Sequence, residues 1–131
     1  MKLSHLFEQK KPTLSFEVFP PKTSDKYESV KSAIVEIAKL SPDYMSVTYG
    51  AAGTSAGYTV SIASQLYKKY GVPSLAHITC VGSDKANLGK KLDDLTSAGI
   101  ENILALRGDI PEGMDSIGID KYKYASELVM Q

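Results

Sequence analysis

Four short apolar runs recur at a nearly constant interval, which limits the folds open to this chain more than any other feature does. Residues 13–19, 44–49, 74–80 and 102–106 are each rich in β-branched, aromatic or other apolar side chains, as strands are. Their starts at 13, 44, 74 and 102 lie 31, 30 and 28 residues apart. A strand, a crossover helix and a parallel return strand need about 30 residues, so the interval predicts a repeated βα unit.

The segments between the runs carry helical patterns. Asp25 is placed to cap the first helix while Glu28 reaches back in a capping box. Val30, Ala33, Ile34, Ile37 and Ala38 then form one apolar stripe, and Pro42 marks the end. A second helix over 59–70 turns Ala63, Leu66, Tyr67 and Tyr70 inward and stops at Gly71, which takes a left-handed cap without a Cβ clash. In the third, Asp84 is the cap, Leu88, Leu92 and Leu95 share a face, and Gly99 closes the helix.

Alternating strands and helices predict an α/β fold with a parallel sheet, because parallel neighbours require crossovers that pack on the sheet. Two architectures satisfy this pattern: a small open doubly wound sheet, or half of an eight-stranded barrel whose complete form takes about 250 residues. At 131 residues the chain suits one domain. Fifteen basic and fifteen acidic side chains balance to zero, which argues against nucleic acid or an anionic membrane surface as a partner. Cys80 is the single cysteine and no paired zinc-ligand spacing occurs, so a reducing cytoplasmic setting without a metal site is expected. The charged N-terminus does not read as a signal peptide, and no stretch approaches a membrane span.

Polar residues gather toward the C-terminal ends of the expected strands, the edge where parallel α/β folds build ligand sites. Glu17 lies within the first strand, where a buried carboxylate would need a raised pKa or a partner. It could serve as a proton donor or sit in a buried ion pair with Arg107. The loop after the second strand, Ala51-Ala52-Gly53-Thr54-Ser55-Ala56-Gly57, admits close approach of a flat or phosphorylated ligand, yet it matches neither phosphate-binding glycine pattern and reads equally as a plain connection. His77 could bond a cofactor or be a satisfied core histidine. Arg107-Gly108-Asp109 sets a cation, a close-approach glycine and a carboxylate at the end of the fourth strand. As an adhesion tripeptide it would be out of place in a reduced cytosolic domain.

Four ordered motifs carry a resemblance: Ser15-Phe16-Glu17-Val18-Phe19-Pro20-Pro21-Lys22-Thr23, Ser46-Val47-Thr48-Tyr49-Gly50, His77-Ile78-Thr79-Cys80 and Leu104-Ala105-Leu106-Arg107-Gly108-Asp109-Ile110-Pro111. Together with Tyr124-Ala125-Ser126-Glu127-Leu128-Val129 they resemble methylenetetrahydrofolate reductases from about Leu14 to the last residue. The resemblance implies about the first half of a TIM (β/α)8 barrel, strands one to four with their helices, as a single partial domain over 1–131. It also implies FAD as cofactor, NADH or NADPH as hydride donor and a folate substrate. Glu17 would be the general acid that opens the folate's five-membered ring, and Asp109 the carboxylate near pterin and flavin. Thr48 would meet the nicotinamide, while Tyr49, Ala51, His77, Arg107, Gly108 and Ala125 would contact the flavin cofactor. The loop from Ala51 lacks charges associated with the family there. Strands five to eight would have to come from elsewhere, so association through exposed barrel edges, or a homo-oligomer, is expected; the alternative is an inactive half-barrel that dimerises.

Overall fold

The computed structural model describes residues 1–9, 11–49, 56–81, 83–110 and 121–130. Among them the strands β1 (Ser15–Val18), β2 (Tyr44–Val47), β3 (Ser74–Thr79) and β4 (Asn102–Leu106) form one sheet in chain order. Every neighbouring pair is parallel. The helices are α1 (Leu3–Phe7), α2 (Tyr27–Ala38), α3 (Ala56–Tyr70), α4 (Lys85–Ser97) and α5 (Ala125–Val129), with a 3₁₀ turn at Ser24–Lys26 ahead of α2.

Strand order decides between the two architectures. A doubly wound sheet reverses its winding at an inner strand and places helices on both faces. Here each strand is added on the same side as the last, so right-handed crossovers bring successive helices to one face, as in a barrel wall. The strands' side chains divide accordingly. Met45, Val47, Ala76 and Ile78 are buried with Ile62, Ala63 and Leu66 of α3 and Leu88 and Leu95 of α4 in one apolar cluster. The alternate row, with Glu17 beside Ser46 and His77 beside Leu104, lies on the opposite, inner face.

The short helix α1, which the sequence pattern does not announce, is tied to the foot of that inner face. Leu3 and Leu6 are buried, Phe7 meets Tyr44 edge to face with ring centroids 5.9 Å apart, and the Leu3 amide donates to Asn102 Oδ1 at 2.8 Å. The terminal ammonium of Met1 pairs with Glu101.

Several local expectations hold. Gly71 and Gly99 have φ of +66° and +83°, and the Asp84 carboxylate accepts from the Asn87 amide at 2.7 Å. Others need correction. Asp25 and Glu28 form no capping box: Asp25 lies in the 3₁₀ turn, which runs directly into α2 through Lys26 in a helical conformation. The extended cap position lies upstream at Thr23, not at Asp25, and Glu28 turns outward to Lys31 at 3.2 Å. The α2 helix ends at Ala38, ahead of Pro42, and Ala33 is exposed. The second crossover helix starts at Ala56, and its buried stripe is Thr59, Ile62, Ala63 and Leu66. Tyr67 and Tyr70, expected inside, are 41% and 37% exposed: Tyr67 turns to the margin of that stripe, and Tyr70 is the last residue of α3.

This stripe predicts the cost of truncation. Leu66→Ala should lower unfolding free energy by about 2–5 kcal/mol, the range for deleting a buried leucine, whereas Tyr67→Ala should cost well under half as much. Urea midpoints of the two variants make the comparison, and equal losses would put the stripe in the wrong place.

Candidate active site

Parallel pairing builds the candidate site from its residues upward. Glu17 of β1 is in register with Ser46 of β2, and His77 stands one inward position further along β3 than Leu75, the partner of Ser46. All three therefore share the inner face. Ser46 Oγ donates to Glu17 Oε2 at 3.5 Å, and His77 Nε2 stands 3.8 Å from the same oxygen.

Two sequence expectations for Glu17 fail here. Its side chain is 47% exposed, so the premise of a buried carboxylate does not hold. The titratable group beside it is His77, not Arg107, whose Nε instead donates to the Gly108 carbonyl at 3.2 Å. His77 is the buried member of the pair. Burial holds its pKa below the ordinary value near 6.5, and the Glu17 charge opposes that effect without cancelling it. At neutral pH the imidazole is uncharged, so the pair is not an ion pair.

The end of β2 carries the next candidates. The Thr48 amide donates to the Val18 carbonyl at 2.9 Å, and the Thr48 carbonyl accepts from Thr59 Oγ1 at 3.0 Å, which joins the strand end to α3. Tyr49 follows, its ring beneath the Lys91 ammonium at 4.8 Å, while Lys91 Nζ also donates to Ser83 Oγ at 2.6 Å. Tyr49 and His77 both line a cavity of about 350 Å³ between α3 and α4, with Val60, Ile78 and Leu95 on its apolar wall and Lys91 and Asp94 among its polar groups. The Tyr49 hydroxyl is buried there with no hydrogen-bond partner among the described residues.

The remaining candidates are dispersed. Arg107 and Asp109 are exposed beyond β4, and Ala125 opens α5, half-buried. Gly108 has φ of +81°, and a Cβ there would lie 3.1 Å from Thr79 Cβ. This close approach to β3 accounts for the glycine whether or not a ligand is present. The Tyr124 carbonyl, just before Ala125, lies 3.8 Å from Cys80 Sγ, so α5 abuts the end of β3. Ala51 and the residues of its loop up to Ser55 lie outside the described residues, as does Pro111.

A flavin fits this set in part. The orphaned buried Tyr49 hydroxyl needs a partner and the cavity is of a size that takes ring systems, but α3 and α4 place it on the helix side of the sheet, away from Glu17. The sequence singled out neither Ser46 nor Lys91. Ser46 was detectable, because strand alternation puts it in the row of Glu17, whereas the approach of Lys91 to Tyr49 depends on how α4 packs.

Among known proteins, a family model described as methylenetetrahydrofolate reductase matches residues 2–131. "Methylenetetrahydrofolate reductase (NADH) 1" of Arabidopsis thaliana is 36% identical over 114 residues, covering 87% of this chain and 19% of the plant protein. The 5,10-methylenetetrahydrofolate reductases of Pectobacterium carotovorum and Escherichia coli are 37% and 35% identical over 116 residues, covering 88% of this chain and 38% of each relative. The chain thus spans well under half the length of these relatives.

Two measurements check the site. Gly108→Ala should destabilise by about 1–3 kcal/mol in urea unfolding, from a left-handed backbone and the contact with Thr79; no loss would contradict the close approach. Because the folded pKa of His77 is depressed, its contribution is fully present above pH 6.5 and is lost as pH falls through the lowered value. His77→Gln should therefore flatten that part of the stability–pH curve, and an unchanged slope would exclude the buried neutral imidazole.

Proposed function

The chain belongs to the methylenetetrahydrofolate reductase family, and from that membership we propose that it supplies part of a barrel site reducing 5,10-methylenetetrahydrofolate to 5-methyltetrahydrofolate. The observation that carries the reading is the row of Glu17, Ser46 and His77 across three adjacent strands. The reaction takes up a hydride from NADH or NADPH and one proton, and Glu17 supplies the proton. FAD, when bound, would carry the hydride between the two substrates, chemistry that side chains do not provide.

The chain's own residues then have distinct tasks. Glu17, in its un-ionised form, gives its proton to the folate nitrogen that leaves the methylene bridge as the carbon–nitrogen bond opens. Its half-exposed position on the inner face leaves it open to a substrate. Tyr49, His77, Arg107, Gly108 and Ala125 would hold the flavin cofactor, Thr48 the nicotinamide, and Asp109 the pterin. A negative charge at Asp109 would also hold down the flavin's reduction potential. The open edges of β1 and β4 are where further strands, from the same polypeptide or a second copy, would complete the barrel.

Glu17→Gln removes the transferable proton and retains the shape of the side chain. In anaerobic stopped flow the variant should lose folate reduction by at least about a hundredfold, the scale of general acid catalysis, while flavin reduction by NADH proceeds. Equal losses in both half-reactions would mean that Glu17 serves the structure or the cofactor and not the proton.

A further inference from the structure

The contacts of Glu17 are asymmetric in a way that the general-acid role does not itself explain. Ser46 Oγ and His77 Nε2 both approach Oε2, at 3.5 and 3.8 Å, and neither contact is to Oε1. Ser46 is 9% exposed, a buried polar residue whose hydroxyl is directed by strand register to its neighbour on β1. The two oxygens of the carboxyl are therefore inequivalent, one anchored to the sheet and one without a partner among the described residues.

On the reading of Glu17 as the acid, we propose that Ser46 is its positioning residue: donation from the Ser46 hydroxyl to Oε2 turns the carboxyl so that Oε1 carries and delivers the reacting proton. Before reaction the proton is bonded to Oε1. As the folate carbon–nitrogen bond breaks, its electron pair stays on nitrogen and takes that proton, and the charge left on Glu17 settles on an oxygen already receiving a hydrogen bond. A bond that strengthens as charge develops stabilises the transition state more than the ground state.

The groups around Glu17 leave this task to Ser46. From β3 the facing titratable group is His77, which burial keeps uncharged at neutral pH, so it offers no fixed cation. On β2 the other inward titratable residue is Tyr44, one pair below in the register and engaged with Phe7 of α1. The inward positions of β4 next to His77 and Thr79 are Leu104 and Leu106. Arg107 is turned onto its own backbone.

The test uses the complete enzyme with its flavin and compares Ser46→Ala, Ser46→Thr and Glu17→Gln. Ser46→Ala should slow the folate half-reaction by about five- to tenfold, the scale of one ordinary hydrogen bond. It should also move the alkaline limb of that half-reaction up by roughly half to one pH unit, since loss of a donor disfavours the carboxylate. Ser46→Thr, which keeps the hydroxyl, should restore both. A readout independent of turnover is the Glu17 carboxyl band, isolated by infrared difference against Glu17→Gln, which should shift in Ser46→Ala and return in Ser46→Thr. If Glu17→Gln abolishes folate reduction but Ser46→Ala leaves the limb and the band in place, the inference is wrong. If Glu17→Gln retains folate reduction, the acid assignment itself falls, whatever Ser46 does. A Ser46→Ala protein that lost stability without a shifted band would assign Ser46 to packing and overturn the proposal.

Discussion

In-register parallel pairing of β1, β2 and β3 is the constraint from which the rest of the molecule follows. Successive strand side chains point to opposite faces, so a slip of one residue would send every inward group to the helix side. Such a slip is opposed by burial. Met45, Val47 and Ala76 are inaccessible to solvent on the helix side, and each large side chain among them contributes on the order of 1.5–3 kcal/mol by leaving water. The same register that buries Met45 and Val47 places Ser46 opposite Glu17.

Core and chemistry are thus assigned to opposite faces of one sheet. The helix face is apolar and buried, which holds the strands in register. The inner face can then hold polar groups at fixed separations, with Ser46 and His77 buried and Glu17 half-exposed. Where the two demands meet, at the tops of β2 to β4, the backbone shows special geometry. Gly108 takes a left-handed conformation against Thr79, and the β3–β4 ladder continues past both strands through the Cys80 and Val81 amides, which donate to the Leu106 and Arg107 carbonyls at 2.9 Å. Arg107, Gly108 and Asp109 leave the sheet from this fixed edge.

Local signals in the sequence were read well where one residue determines the outcome. Gly71, Gly99 and Asp84 end or start helices because backbone conformation or one side-chain bond is enough. The four strands and their spacing were legible for the same reason, and all four sit within the expected segments. Features set by neighbours were not. Glu17 was expected to be buried because it interrupts an apolar run, but burial depends on what covers the inner face. Tyr67 and Tyr70 follow helical spacing yet miss the core, because α3 meets the sheet along Thr59, Ile62, Ala63 and Leu66, which turns Tyr67 aside, and because the helix ends at Tyr70. The pairing of Glu17 with His77 and Ser46 instead of Arg107 could be deduced only once the register was known. Barrel-type winding was likewise beyond periodicity and was decided by strand order.

The central proposal is that this inner face and the tops of its strands form part of a flavin-dependent reductase site. The most direct measurement is the visible absorbance of the chain purified together with the strands that complete its barrel, after mixing with FAD and removing the unbound fraction, followed by anaerobic NADH. The account predicts retained flavin absorbance that bleaches when NADH is added. Flavin lost with the unbound fraction, or retained flavin that NADH does not bleach, would contradict it.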